Sequence, residues 1–209
     1  MNLNHYFDKI YCINLDRRKD RWEESLKEFE KWGLFNYIER YSAIDGSKIK
    51  NEDKNNILKD GEIGILLTHF EIIKEAKEKK YNNILIIEDD IEFSEKFKDF
   101  KSYYEVTPKN WDMIYFGGNH NVHMGKKINM INDKIIKLDE TYGIHCIAIR
   151  DTLYDFILEI IKDKKKPIDV YYAILQKSFN CYGFYPSLAL QRVSYSDIQN
   201  KIVNYKWLF

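Results

Sequence analysis

Residues 83–87, Asn-Ile-Leu-Ile-Ile, run straight into Glu88-Asp89-Asp90, and no other stretch constrains the chain as much. The apolar run is too short for a helix, and its branched side chains suit an extended backbone. A strand apolar on both faces is the mark of a parallel sheet covered by helices on each side. Three adjacent acids at its carboxyl end need a counter-charge, and open α/β sheets bind their ligands outside that end of the strands.

Periodicity elsewhere agrees with such a sheet. Residues 9–15 form a β-branched and aromatic run, and 20–32 place Trp22, Leu26, Phe29 and Trp32 at helical spacing before Gly33. A second strand is expected over 37–44, ended by Asp45-Gly46, and a helix over 62–80 with one apolar face and a basic last turn. Further strands are expected over 113–116, 142–150 and 181–185, with helices over 152–162 and 168–179. Strands alternating with helices imply an α/β sheet with helices on both faces. With 3 Pro, 9 Gly and no Ser/Gly-rich linker, residues 1–209 read as one domain.

Composition narrows the function classes. A chain of 209 residues that is 44% hydrophobic can bury about 70% of its unfolded surface without a metal or disulfide to hold it together. Cys12, Cys146 and Cys181 lie in apolar or aromatic stretches without a CxxC pair, as reduced, buried thiols do. Basic and acidic residues balance at 33 each, so no global field favours nucleic acid. Asn4, His5, Asp8 and Lys9 interrupt any signal-like apolar core, and no run approaches a membrane span, which makes the cytoplasm the expected compartment. The aromatic residues 205–209 are expected to pack on their own domain, with a partner or a membrane surface as the other choices.

The acids at the end of 83–87 have two readings. Carboxylates there can hold a hard divalent ion with positions left for phosphate oxygens, or Asp90 can begin a helix. Strand alternation would put Glu88 and Asp90 on one side and Asp89 on the other. Asn14-Leu15-Asp16-Arg17-Arg18 leaves the first strand, where a loop and helix N-terminus can hold phosphate, or simply form a basic turn with Arg21 paired on the surface. Asp45 either accepts from a ribose or base or builds a turn with Gly46, the commoner outcome. His69 reads as a hydrogen-bonded structural residue before a ligand contact. His120 and His123 lie in a polar loop expected to be mobile at the site, and their spacing lacks the helical frame of a zinc protease. Asp169 and Asp197 are each either an N-cap or a functional acid: a general base for Asp169, a metal or phosphate contact for Asp197.

In order and spacing, these pieces resemble glycosyltransferase family 25: Ile13-Asn14-Leu15-Asp16-Arg17-Arg18 with Arg21, Ala43-Ile44-Asp45-Gly46, Gly61-Glu62-Ile63-Gly64 with Thr68-His69, Glu88-Asp89-Asp90, Thr141-Tyr142-Gly143, Pro167-Ile168-Asp169, and Gln191 with Ser196-Asp197-Ile198. The resemblance implies a single GT-A-like α/β domain whose Rossmann-like central mixed sheet is flanked by helices. It also implies a UDP-sugar donor, galactose being the family's commonest sugar, a glycan, lipooligosaccharide or protein acceptor, and Mn²⁺ or Mg²⁺. Carried over by motif, Glu88, Asp90 and Asp197 would hold the metal, Asp169 would be the base of an inverting attack, and Asn14, Asp16, Arg17, Asp45, His69, Glu88 and Asp89 would line the donor site. Thr68 replaces the family's common Ser, and Ile65 follows a glycine that often precedes Cys; neither change removes a group the chemistry needs. The rival classes are a metal-dependent phosphohydrolase or nuclease, which calls for a second acidic cluster, and a binding module without turnover.

Overall fold

The computed structural model describes residues 2–49, 57–121, 124–197, 199 and 201–204. Of the residues singled out above, His123, Ile198 and 205–209 lie outside that set.

The expected alternation is present. Strand β1 (Lys9–Asn14) leads through helix α1 (Lys19–Lys31) to β2 (Glu39–Ser42), and helix α2 (Asp60–Glu78) leads to β3 (Asn83–Glu88). A short strand β4 (Ile91–Phe93) and helix α3 (Phe100–Glu105) precede β5 (Met113–Tyr115), then β6 (Asn129–Met130), β7 (Ile135–Lys137) and β8 (Cys146–Arg150). Helices α4 (Tyr154–Ile160) and α5 (Ile168–Leu175) are followed by β9 (Cys181–Phe184), β10 (Ala189–Gln191), β11 (Ser194–Ser196) and β12 (Lys201–Val203). Gly33 closes α1 as its sequence suggests: its φ of +66° is left-handed, and the Leu34 N–H reaches back to the Phe29 carbonyl at 2.7 Å.

Eight strands form one mixed sheet in the order β2-β1-β3-β8-β5-β9-β7-β6. β3 is buried as expected and parallel to β1, but its other neighbour, β8, is antiparallel. Alternate residues feed two cores. Tyr11, Ile84, Ile86 and Ile147 pack under α2, α4 and α5, while Ile10, Cys12, Leu85 and Ile87 pack with Phe29 of α1 and Phe100 of α3. All three cysteines are free and buried.

The chain leaves β1 for β2 on one side and then returns to place β3 on the other. Such a change of direction opens a crevice at the carboxyl ends of the strands. Two sequence expectations change here. Asp90 does not start a helix, because the next residues form β4, which pairs antiparallel with β10 and sets Ile91 opposite Gln191. The strand expected over 142–150 begins only at Cys146; Tyr142 instead bridges to Asn119.

Candidate functional site

A cleft of about 460 Å³ opens at that crevice, walled by the ends of β1, β2 and β3, the start of α2 and the turn after β11. Two glycines permit its wall. A Cβ on Gly46 would lie 1.7 Å from the Asp60 carbonyl oxygen, and one on Gly64 would lie 2.6 Å from that of Ile44. Only a bare backbone lets the turn after β2 sit against the first turn of α2. Thr68 locks the same contact, donating to the Gly64 carbonyl at 2.7 Å and accepting from the Ile44 N–H at 2.9 Å.

Arg21 organises the acidic floor. It projects from α1 and pairs with Asp89 at 2.9 Å and Asp90 at 2.5 Å. β3 ends at Glu88, so strand alternation stops there, and both aspartates turn onto one guanidinium instead of facing apart. Asp89 is further held by the Asn14 amide at 2.6 Å, while Ser25 and Arg192 donate to its carbonyl at 2.8 and 2.7 Å. Asp90 receives Gln191 at 3.2 Å, yet its Oδ1 is buried with no hydrogen-bond partner. Glu88 lines the same cleft, half-buried.

Burial dominates the protonation of this floor. It pushes Asp89 up to about 6, over the opposition of Arg21. Glu88 is also raised, first by burial and then by Asp90, against the pull of Arg21, with Asp89 and Asp169 adding less. Asp169 is itself raised by burial, while the backbone N–H groups of Val170 and Gly143 pull it down.

The other expected residues divide. Arg17, Asp45 and Asp197 line the cleft with Glu88, Asp89 and Asp90. Asp45 also builds the turn, accepting from the Ser47 N–H at 3.1 Å and from Arg17 at 3.3 Å. Asp197 pairs with Arg17 at 2.7 Å and with Arg18, so its oxygens are engaged by cations instead of facing a metal position. Asn14 is buried behind the floor, linking Asp89, the Arg18 carbonyl and Arg40. Asp16 is exposed and bound to Arg40 and Ser42, away from the cleft wall. His69 is fully buried and shares a 2.8 Å hydrogen bond with the Tyr172 hydroxyl. Asp169, near the start of α5, does not line the cleft. The loop expected to move is pinned over its described part: Asn119 bridges to Tyr142, and His120 is buried with Nδ1 3.0 Å from the Thr141 hydroxyl.

Sequence reasoning placed Arg21 in the resembling motif but gave it no role beyond a surface pair, whereas it is the centre of the floor. Its spacing from Ser25, four residues further along one face of α1, was the available signal. Gln191 reaches Asp90 only because β10 pairs with β4, which local periodicity does not reveal.

A divalent ion of the Mg²⁺ type takes one or two protein carboxylates and fills its remaining positions with phosphate and water oxygens. The unpartnered Asp90 Oδ1 beside Glu88 fits that kind of site. No group of three or more acidic, His or Cys ligands occurs among the described residues, so an all-protein cage is not what these residues build.

Residues 7–162 match the model of glycosyltransferase family 25, described as an LPS biosynthesis protein. Asp169, Gln191 and Asp197 lie beyond the matched residues. The chain is 28% identical to procollagen galactosyltransferase 2 of Mus musculus over 131 residues, covering 53% of this chain and 21% of that protein. It is 30% identical to a glycosyltransferase 25 family member of Anopheles gambiae over 138 residues, covering 56% and 22%. A human protein named inactive glycosyltransferase 25 family member 3 is 26% identical over 131 residues, covering 53% and 22%. The chain thus spans about a fifth of the length of these curated relatives. With the family model matched over most of its length, the chain belongs to glycosyltransferase family 25.

Proposed function

We propose that the chain is a metal-dependent, inverting glycosyltransferase that moves a hexose, galactose first among them, from a UDP-sugar to a hydroxyl of a glycan, lipooligosaccharide or protein acceptor. The observation that carries this is the cleft at the β1/β3 crevice, lined by Glu88, Arg17, Asp45 and Asp90, the last of which keeps one buried carboxylate oxygen without a partner. The relatives named galactosyltransferases support the choice of sugar.

Asp90 and Glu88 would hold Mn²⁺ or Mg²⁺, which when bound supplies positive charge against the diphosphate leaving group. Arg21 holds the Asp90 carboxylate in place through its other oxygen and offsets the charge of the acidic floor. Asp45, fixed by Ser47, presents an acceptor to the ribose or base, and Arg17 presents a donor to the phosphates. Asp169 is the proposed base for the acceptor hydroxyl: it stands outside the cleft lining, so the acceptor would enter from the α5 side, and burial raises its proton affinity. His69, sealed against Tyr172, braces α2 instead of touching the donor.

Incubation with a panel of UDP-sugars, with and without Mn²⁺, tests the reading by UDP release. Metal-dependent release from one donor is the expected result and names the sugar. Neither release nor UDP binding with any donor would overturn it. Binding without release would place the chain with a non-catalytic module, the condition the name of the human inactive relative describes for that protein.

A further inference from the structure

Among the described residues, six carboxylates and three cationic side chains line the cleft, a setting that repels a diphosphate unless negative charge leaves or positive charge enters. Five of those carboxylates lie on or beside β2, α2 and β3, elements of the main body of the fold. Asp197 is different. It sits in the turn of the β11/β12 hairpin, whose two strands form a separate sheet, and it is held by Arg17 at 2.7 Å and by Arg18. Arg21 adds a bond to Ser194 at 3.1 Å on the same hairpin. Arg17 and Arg18 stand just before α1, whose free N–H groups and dipole favour an anion at this end. A guanidinium pair that grips a carboxylate presents the same planar donors to a phosphate.

We propose that Asp197 is a placeholder: in the donor-free protein its carboxylate occupies the Arg17/Arg18 pair that takes the diphosphate of the nucleotide sugar, and the arriving donor displaces it, releasing the β11/β12 hairpin from the cleft. The inference rests on reading the cleft as a nucleotide-sugar site. A diphosphate brings more negative charge to the two arginines than the single carboxylate it replaces, so the exchange runs toward the donor. Arg17 is 48% exposed, which leaves its pair with Asp197 screened by water and open to competition. The hairpin would thereby report on donor occupancy, and Asp197 would tune donor affinity without binding metal.

Calorimetric titration of UDP, with Mn²⁺ present, into the wild type, Asp197→Asn and Arg18→Gln is the test. Asp197→Asn should bind UDP at least about fivefold more tightly, the factor expected for no longer breaking the screened Arg17 pair alone, with the less exposed Arg18 pair adding to it. Arg18→Gln should bind it more weakly, because the cation lost is one the phosphate needs. In the wild type, saturating UDP should speed amide hydrogen exchange across β11 and β12. Equal or weaker UDP binding by folded Asp197→Asn, or unchanged exchange in the wild-type hairpin on saturation, overturns the proposal and leaves the donor site standing. Failure of all three proteins to bind UDP overturns both.

Discussion

At the scale of single residues, the acidic floor separates a structural carboxylate from an available one. Asp89 is fully engaged by Arg21 and Asn14, whereas Asp90 keeps one buried oxygen without a partner. Asp90→Asn preserves shape and removes the charge that would bind a divalent ion, so metal-dependent sugar transfer should fall on the order of 100-fold or more. Unchanged transfer by the folded variant would sink the assignment. Arg21 carries a different burden. Replacing it with Leu leaves two buried carboxylates unpaired, and a loss of about 3–5 kcal/mol in urea unfolding is expected. A loss under about 1 kcal/mol would show that water reaches the floor and screens the pair as it does on a surface. The sequence displays all these side chains, yet adjacent acids alone do not say which is braced: that depends on Arg21 and Asn14 arriving from α1 and β1.

At the scale of elements, the cleft wall depends on the turn after β2 touching the start of α2. With a Cβ on Gly46 placed 1.7 Å from the Asp60 carbonyl oxygen, backbone must move. Gly46→Ala should destabilise the fold by about 1–3 kcal/mol, as overpacking generally does, and weaken UDP binding because Asp45 moves with the turn. Thermal melting and UDP titration read the two effects. Wild-type values in both would mean that the turn is free of α2. Ala43-Ile44-Asp45-Gly46 and Gly61-Glu62-Ile63-Gly64 are visible as separate glycine motifs. Their packing against each other is a contact between distant segments, which no local pattern encodes.

At the scale of the whole molecule, buried imidazoles shape the response to acid. Burial holds His69 down to about 3, whereas the unfolded chain protonates it near 6.5. Its contribution is therefore intact above about pH 6.5 and is lost as pH falls toward its folded value, by up to about 1.4 kcal/mol per pH unit. Burial raises Glu88, Asp89 and Asp169, and these slope the opposite way: their contribution is present at low pH and lost as pH rises through the folded values, about 6 for Asp89. The imidazole share is thus read by difference. Between pH 6.5 and 4.5, wild type should lose stability relative to His69→Gln along the stated slope, and parallel unfolding curves would refute a neutral buried His69. Across the same molecule, sequence alone determined the alternation of strands and helices, the burial of 84–87 and of the three cysteines, and the end of the sheet where the acids gather. These follow from local periodicity and side-chain polarity. Only tertiary structure decided that β8 runs antiparallel beside β3, that β4 pairs with β10 to bring Gln191 to Asp90, that Asp197 meets two arginines, and that His69 and Asp16 stand away from the cleft. Each is a meeting of segments far apart in sequence, set by how faces pack and not by the pattern within either segment.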